Sequence, residues 1–239
     1  MRQLLPVPAT AGESLDDDRL AALYAFPDTP TLRTNFVTTL DGAATGHDGR
    51  SGTINNAADN RVFALQRTLC DAVLVGAGTA RAEGYETITA DEVSEPPPLV
   101  VVSHSGSVPG GLAITGDGRG RGVLVTCRAA GEAALDAARE ALGEEDVWIL
   151  GDDAVDLSAV RERLTAQGLR RVLCEGGPSL HADLLTAGLV DEVALTWVPR
   201  LLGGDHPRMA HGAAVAGDAR LLSLLEEDGT LLGLWSTRR

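Results

Sequence analysis

The sequence predicts an α/β fold, a three-layer sandwich on a mostly parallel sheet that is closed by a C-terminal antiparallel hairpin. Short apolar runs of strand length recur at 72–75, 99–102, 123–126, 147–150, 171–174 and 193–198. Helical patterns at 132–142, 157–167 and 179–187 separate several of them. Strands that are apolar throughout are buried on both faces, as parallel strands between helix layers are. The chain ends differently: runs at 221–227 and 231–237 flank Asp228-Gly229, a two-residue hairpin signal.

Taken in order, the first thirty residues read as an N-terminal extension and residues 31–239 as one domain. The extension holds a short amphipathic piece at 16–24 and a turn at Phe26-Pro27-Asp28. A strand over 32–40 ends in the turn pair Asp41-Gly42. Residues 43–53 are glycine-rich and poor in apolar side chains, the composition of a mobile loop. A helix begins near Asn55 or Asn56, either of which can cap it, carries Asp59 in its first turn and runs to about Leu69. The stretch 90–98 reads as a solvated loop between strands. No internal repeat is visible.

Composition excludes several function classes. The chain has 239 residues and a formal charge of −14, so nucleic acid and anionic membranes are poor general partners. All its basic residues are arginine, which removes Walker-type phosphate loops and lysine chemistry. Cys70, Cys127 and Cys174 are widely spaced and read as buried free thiols. His47, His104, His181, His206 and His211 have no metal-ligand spacing, so no metal is expected and surface or capping roles are assigned to each. No apolar stretch approaches the ~20 residues of a membrane span, and the N-terminus lacks a signal-peptide pattern, so a cytoplasmic location is expected.

Two junctions join a buried strand to a helix through glycines. One is Gly76-Ala-Gly78-Thr79; the other is Glu175-Gly176-Gly177-Pro178-Ser179. The first-turn N–H groups of such helices are unpaired, and glycine lets a phosphate approach them. Parallel strands that end together in this way put both turns at the carboxyl edge of the sheet, where open α/β sheets bind ligands. Neither turn fits the Rossmann fingerprint, because Arg81 stands where the third small residue is needed.

The wider pattern is more specific. Asn35-Phe-Val-Thr-Thr-Leu-Asp41-Gly42, Ser51 in a glycine loop, and Asp71-Ala-Val-Leu-Val-Gly76-Ala-Gly78-Thr79-Ala-Arg81-Ala-Glu83 resemble the first half of the pyrimidine reductase family of riboflavin biosynthesis. Cys174-Glu175-Gly176-Gly177-Pro178-Ser179-Leu180, Gly188-Leu-Val-Asp191-Glu192 and Leu201-Leu-Gly-Gly204 resemble its second half. The resemblance implies a dihydrofolate-reductase-like fold, a homodimer and an NADPH-dependent reductase that opens the ribose of a ribosylaminopyrimidine phosphate into a ribityl chain. It implies that Gly76, Thr79 and Glu83 face the cofactor, with Gly176, Gly177, Ser179 and Leu180 along the pyrophosphate. Thr53 falls on the cofactor side, where the family commonly has tryptophan, and Ser103 is a contact for the 2′-phosphate. Ser51 and Arg67 fall to the substrate, Arg67 as a phosphate clamp, and Asp41 and Glu175 are the candidate catalytic carboxylates.

Read without the resemblance, Asp41 is equally an Asp-Gly turn residue and Glu175 a carboxylate at a helix dipole. The zinc deaminase signature of the bifunctional family members is absent, so deamination is not expected. A second arginine common beyond the cofactor turn is also missing, since 86–95 holds no basic residue. That leaves open another heterocycle, such as a pterin or dihydrofolate, and a non-catalytic nucleotide-binding module. A serine hydrolase is a poor fit, because Gly177-Pro-Ser179-Leu-His181 puts histidine where the nucleophile elbow needs glycine.

Overall fold

A computed structural model describes residues 1–6 and 14–238; residues 7–13 of the N-terminal extension, and Arg239, lie outside the described residues. The strands are β1 (Arg2–Leu5), β2 (Thr31–Thr39), β3 (Ala72–Gly76), β4 (Leu99–Val102), β5 (Gly122–Thr126), β6 (Val147–Ile149), β7 (Arg171–Cys174), β8 (Glu192–Val198), β9 (Arg220–Glu227) and β10 (Thr230–Ser236). The α-helices are α1 (Asp17–Tyr24), α2 (Ala57–Leu69), α3 (Ala77–Glu83), α4 (Glu132–Leu142), α5 (Leu157–Ala166) and α6 (Pro178–Thr186). One sheet takes the order β1-β9-β10-β8-β2-β7-β3-β4-β5-β6. From β8 through to β6 the neighbours are parallel, while β10, β9 and β1 add antiparallel strands at the other edge.

The sheet's two faces carry separate cores. Val160 and Leu164 of α5 and Leu180 and Leu184 of α6 pack with Leu74, Val123 and Val172 on one face. On the other, Ala80 of α3 and Ala138 of α4 meet Val73, Val101 and Leu124. Leu20 and Tyr24 of α1, with Ala58 and Val62 of α2, cover Ala194, Leu225 and Leu232. Side-chain caps fix where helices start: Asn56 rather than Asn55 caps α2 by accepting from the Asp59 N–H at 3.1 Å, and Asp156 caps α5. The β9–β10 hairpin turns on Asp228 and Gly229, both at positive φ, as the turn signal predicts.

Within the N-terminal extension β1 joins the sheet against β9, and Leu20 and Tyr24 are buried. Two expectations change. The loop over 43–53 is held rather than loose: Ala44 N–H donates to the Pro207 carbonyl, Gly46 N–H to that of Arg50, and Ser51–Thr53 forms a 3-10 turn. His181 is fully buried, not at the surface or in a cap. Its Nδ1 donates to the Met209 carbonyl at 2.9 Å, and its ring stacks on Phe36 at 4.6 Å.

Burial holds the His181 imidazole below its ordinary pKa. On acidification the unfolded chain takes up this proton first. The stability contributed by the neutral ring is therefore complete above ~6.5 and drains away as pH falls below it. In H181N, whose amide can keep the bond to Met209, the unfolding midpoint should fall less steeply between about pH 7 and 5 than in the wild type. Parallel curves would show that another group carries the acid response.

Candidate active site

The carboxyl ends of β2, β7 and β3 lie side by side, because β7 returns between the other two strands. Their turns are tied together: Glu175 N–H donates to the Leu74 carbonyl at 2.9 Å and Gly76 N–H to that of Gly176 at 2.8 Å. The Gly176–Gly177 peptide is cis. A Cβ on Gly177 would collide with the Thr79 hydroxyl, so the two glycine turns approach as closely as their backbones allow. Neither α3 nor α6 has a side-chain cap at its N-terminus, and Pro178 fills the first position of α6. The N–H groups of Gly78, Thr79, Ser179 and Leu180 thus have no helical partner.

These turns open onto a cavity of about 810 Å3. Its walls come from β2 (Asn35, Phe36, Val37), from the 44–60 segment, from α2 (Phe63, Arg67), from α3 and the turn after it, and from the β7–α6 junction. Glu175 anchors one wall with a side chain only 1% exposed. Arg67 grips it with two bonds, Nε to Oε1 and Nη2 to Oε2, each 2.8 Å, and the Tyr85 hydroxyl donates to Oε2 at 2.8 Å. Arg67 also reaches Glu92 at 3.1 Å and lies over the Phe63 ring, 4.6 Å from its centroid. Burial works against its charge, but the Glu175 carboxylate outweighs it and holds the guanidinium above its ordinary pKa. Burial, and then Glu175, pushes the Tyr85 hydroxyl well above its own.

Ser51, Arg67, Thr79, Glu83, Glu175, Gly177 and Ser179 therefore converge on one cavity. Glu83 accepts from the Ser51 N–H at 2.6 Å, joining the glycine loop to α3. Gly76 and Gly176 stand behind the turns, and Leu180 puts its side chain into the core with only its N–H at the junction.

Four of the assigned residues stand apart from that convergence or are already paired. Asp41 is not in the cavity lining, and its carboxylate accepts from the Thr39 hydroxyl at 2.5 Å and from the N–H groups of Leu202 and Gly203 at 3.0 and 2.7 Å. Those donors, Thr39 first, hold its carboxyl at a pKa of about 2. Thr53 is also outside the lining, with its hydroxyl on Asp48. Ser103 is buried and donates to the Ser107 carbonyl, which spends the hydroxyl meant for a phosphate. Arg67 is neutralised by Glu175 and Glu92 and is no open phosphate clamp.

Sequence reasoning missed Tyr85, Asp59 and Arg119, which all line the cavity. Arg119 donates to the Thr87 carbonyl at 2.9 Å and brings a cation to the segment that has none of its own. Pairing between segments thirty positions apart, Thr89 against Arg119 with Ala90 N–H on the Gly118 carbonyl and Gly120 N–H on that of Ile88, places it there.

Residues 30–227 match the model of the RibD C-terminal domain. The chain belongs to that family. A 2,5-diamino-6-ribosylamino-4(3H)-pyrimidinone 5′-phosphate reductase from Archaeoglobus fulgidus is 30% identical over 203 residues, 80% of this chain and 91% of the relative. One of the same description from Methanothermobacter thermautotrophicus is 31% identical over 183 residues, 75% and 82% of the two chains. A pyrimidine reductase-like protein from Corynebacterium diphtheriae superposes with a TM-score of 0.75 at 22% identity, covering 88% of this chain and 92% of that one. A Thermotoga maritima deaminase/5-amino-6-(5-phosphoribosylamino)uracil reductase gives 0.67 at 19% identity, and this chain spans 57% of its length. This RibD-type domain is a reductase, an oxidoreductase of the riboflavin pathway, and its mostly parallel sheet closed by an antiparallel hairpin is the α/β fold that the sequence predicts.

Proposed function

We propose that the chain is an NADPH-dependent reductase of a ribosylaminopyrimidine 5′-phosphate. The observation that carries this reading is the pairing of two uncapped glycine-turn helices with a cavity that the Arg67–Glu175–Tyr85 cluster also lines. The fit to a dinucleotide rests on that backbone. Gly78 has open space where a Cβ would stand, and the free N–H groups at Thr79, Ser179 and Leu180 suit a pyrophosphate. NADPH held there would supply the hydride for C1′ of the ring-opened sugar, and the pyrimidine nitrogen on that carbon would need one proton.

The chain's own residues bind and polarise. Glu175, fixed by three hydrogen bonds, is a preorganised negative charge that favours the cationic iminium form of the substrate. Tyr85 and Arg67 position it. Ser51 and Glu83 frame the cofactor-to-substrate boundary, and Arg119, whose pair with Glu86 at 3.3 Å is long and solvent-exposed, is the cation for the substrate phosphate. Asp41 clasps the 202–203 backbone to the end of β2, as a positioning residue.

The reading includes a homodimer in the cytoplasm. The face of β8 and β10 turned away from α1 and α2 carries half-exposed Leu195, Trp197, Leu231 and Trp235, and the two tryptophans meet edge to face at 5.1 Å. Such an apolar patch suits a second copy.

Thermal unfolding with NADPH, with NADH and without ligand tests the cofactor. NADPH at about 100 times its Kd should add roughly 2.7 kcal/mol and raise the midpoint visibly, with little effect of NADH. No rise with either at millimolar concentration would remove the reductase reading.

A further inference from the structure

Asp59 lines the cavity beside Asn60 and Phe63 and is only 5% exposed. It lies in the first turn of α2, but the cap of that helix is Asn56, so the carboxylate is not needed to start it. A carboxylate that merely complements the helix dipole gains as much in water, without the cost of burial. Burial raises its pKa, opposed only by the neutral Thr196 hydroxyl and by no cation. Among the described residues, the ion pairs nearby are Arg61 with Asp17 and Arg67 with Glu175 and Glu92, which leaves Asp59 without one. The cavity wall therefore contains a buried carboxylate with no cationic partner among the described residues. Such a group wants N–H donors from what binds there.

The two heterocycles named for the relatives differ at this point. In the 2,5-diamino-4(3H)-pyrimidinone, the ring N3–H and the C2 amino group present two adjacent donors, which one carboxylate accepts together. In the uracil, the C2 substituent is a carbonyl oxygen, which would face the carboxylate as acceptor against acceptor.

We infer that Asp59 is a specificity-determining residue that reads the 2-amino edge of the pyrimidine, so that the chain reduces the 2-amino substrate ahead of the uracil. The inference rests on the reductase reading above. It places no demand on the hydride-transfer step itself.

The test is the ratio of kcat/KM for the two phosphorylated substrates, 2,5-diamino-6-ribosylamino-4(3H)-pyrimidinone 5′-phosphate and 5-amino-6-(5-phosphoribosylamino)uracil, in the wild type and in D59N. A site built around a hydrogen-bonded edge discriminates strongly, so the wild type should favour the 2-amino form by at least about 100-fold. The amide of D59N can accept from N3–H and donate to the C2 carbonyl, so the ratio should move towards the uracil by about the same factor. The midpoint rise with NADPH should persist. A wild-type ratio near one, or equal losses on both substrates in D59N, overturns the assignment of Asp59 while leaving the reductase reading standing. Turnover of neither substrate by the wild type removes both. Should D59N fail to fold, the wild-type ratio still decides.

Discussion

Glu175→Gln should lower kcat/KM by at least about 100-fold, in the range seen when a preorganised charge partner of a transition state is removed. Glu175 accepts two N–H bonds from Arg67 and one O–H bond from Tyr85. Glutamine keeps one acceptor and turns an NH2 group towards at least one of those donors. The buried guanidinium then loses most of its compensation, and only the half-exposed Glu92 remains to it. A destabilisation of about 3 kcal/mol follows, as for other broken buried pairs. Activity and stability are separable here: NADPH should still raise the unfolding midpoint of E175Q, because the glycine turns do not depend on the carboxylate. Near-normal turnover in E175Q would reduce Glu175 to a structural partner of Arg67.

Arg33→Met is expected to cost about 3–5 kcal/mol, the largest stability effect of any single change considered. The Arg33 side chain is fully buried in β2, and Glu192 opposite it on β8 is 8% exposed. Nε and Nη2 both donate to Glu192 Oε2, at 2.9 and 2.7 Å, and Nη1 donates to the Tyr24 carbonyl at 2.7 Å. Phe26 lies 4.0 Å beneath the guanidinium. Truncation orphans a buried carboxylate and frees the C-terminal end of α1 together. The double variant R33M/E192L removes both charges and should recover a large part of the loss, the usual behaviour of a buried pair replaced by apolar groups. Denaturant midpoints for both variants supply the comparison. A cost below about 1 kcal/mol in R33M would mean that the pair does not hold α1 to the sheet.

Much of the fold was legible because its signals are local. Strands such as Val73 to Val75 are apolar throughout, and Asp228-Gly229 dictates its own turn. The two glycine junctions were legible for the same reason. What was missed depends on pairing across the chain. Arg2–Leu5 becomes a strand only because β9, more than two hundred residues away, offers an edge.

The same holds at the site. Glu175 and Arg67 were both visible as candidates, but their separation of 108 residues hid that they pair with one another. Tyr85 and Arg119 reach the cavity from turns that carry no motif. Asp41 kept its turn geometry, but the sequence did not show that the donors at Leu202 and Gly203, also remote in sequence, meet its carboxylate. His181 looked like a surface residue, since nothing in its own helix says that Phe36 and the Met209 carbonyl will enclose it.

The central claim is hydride transfer from NADPH to a ribosylaminopyrimidine phosphate, and it is tested most directly by incubating the chain with deuterium-labelled NADPH and the 2,5-diamino substrate. The account predicts one cofactor oxidised per product formed, with the ribityl product carrying the cofactor's deuterium at C1′. Unchanged NADPH in the presence of substrate, or a ribityl product without the label, would contradict it.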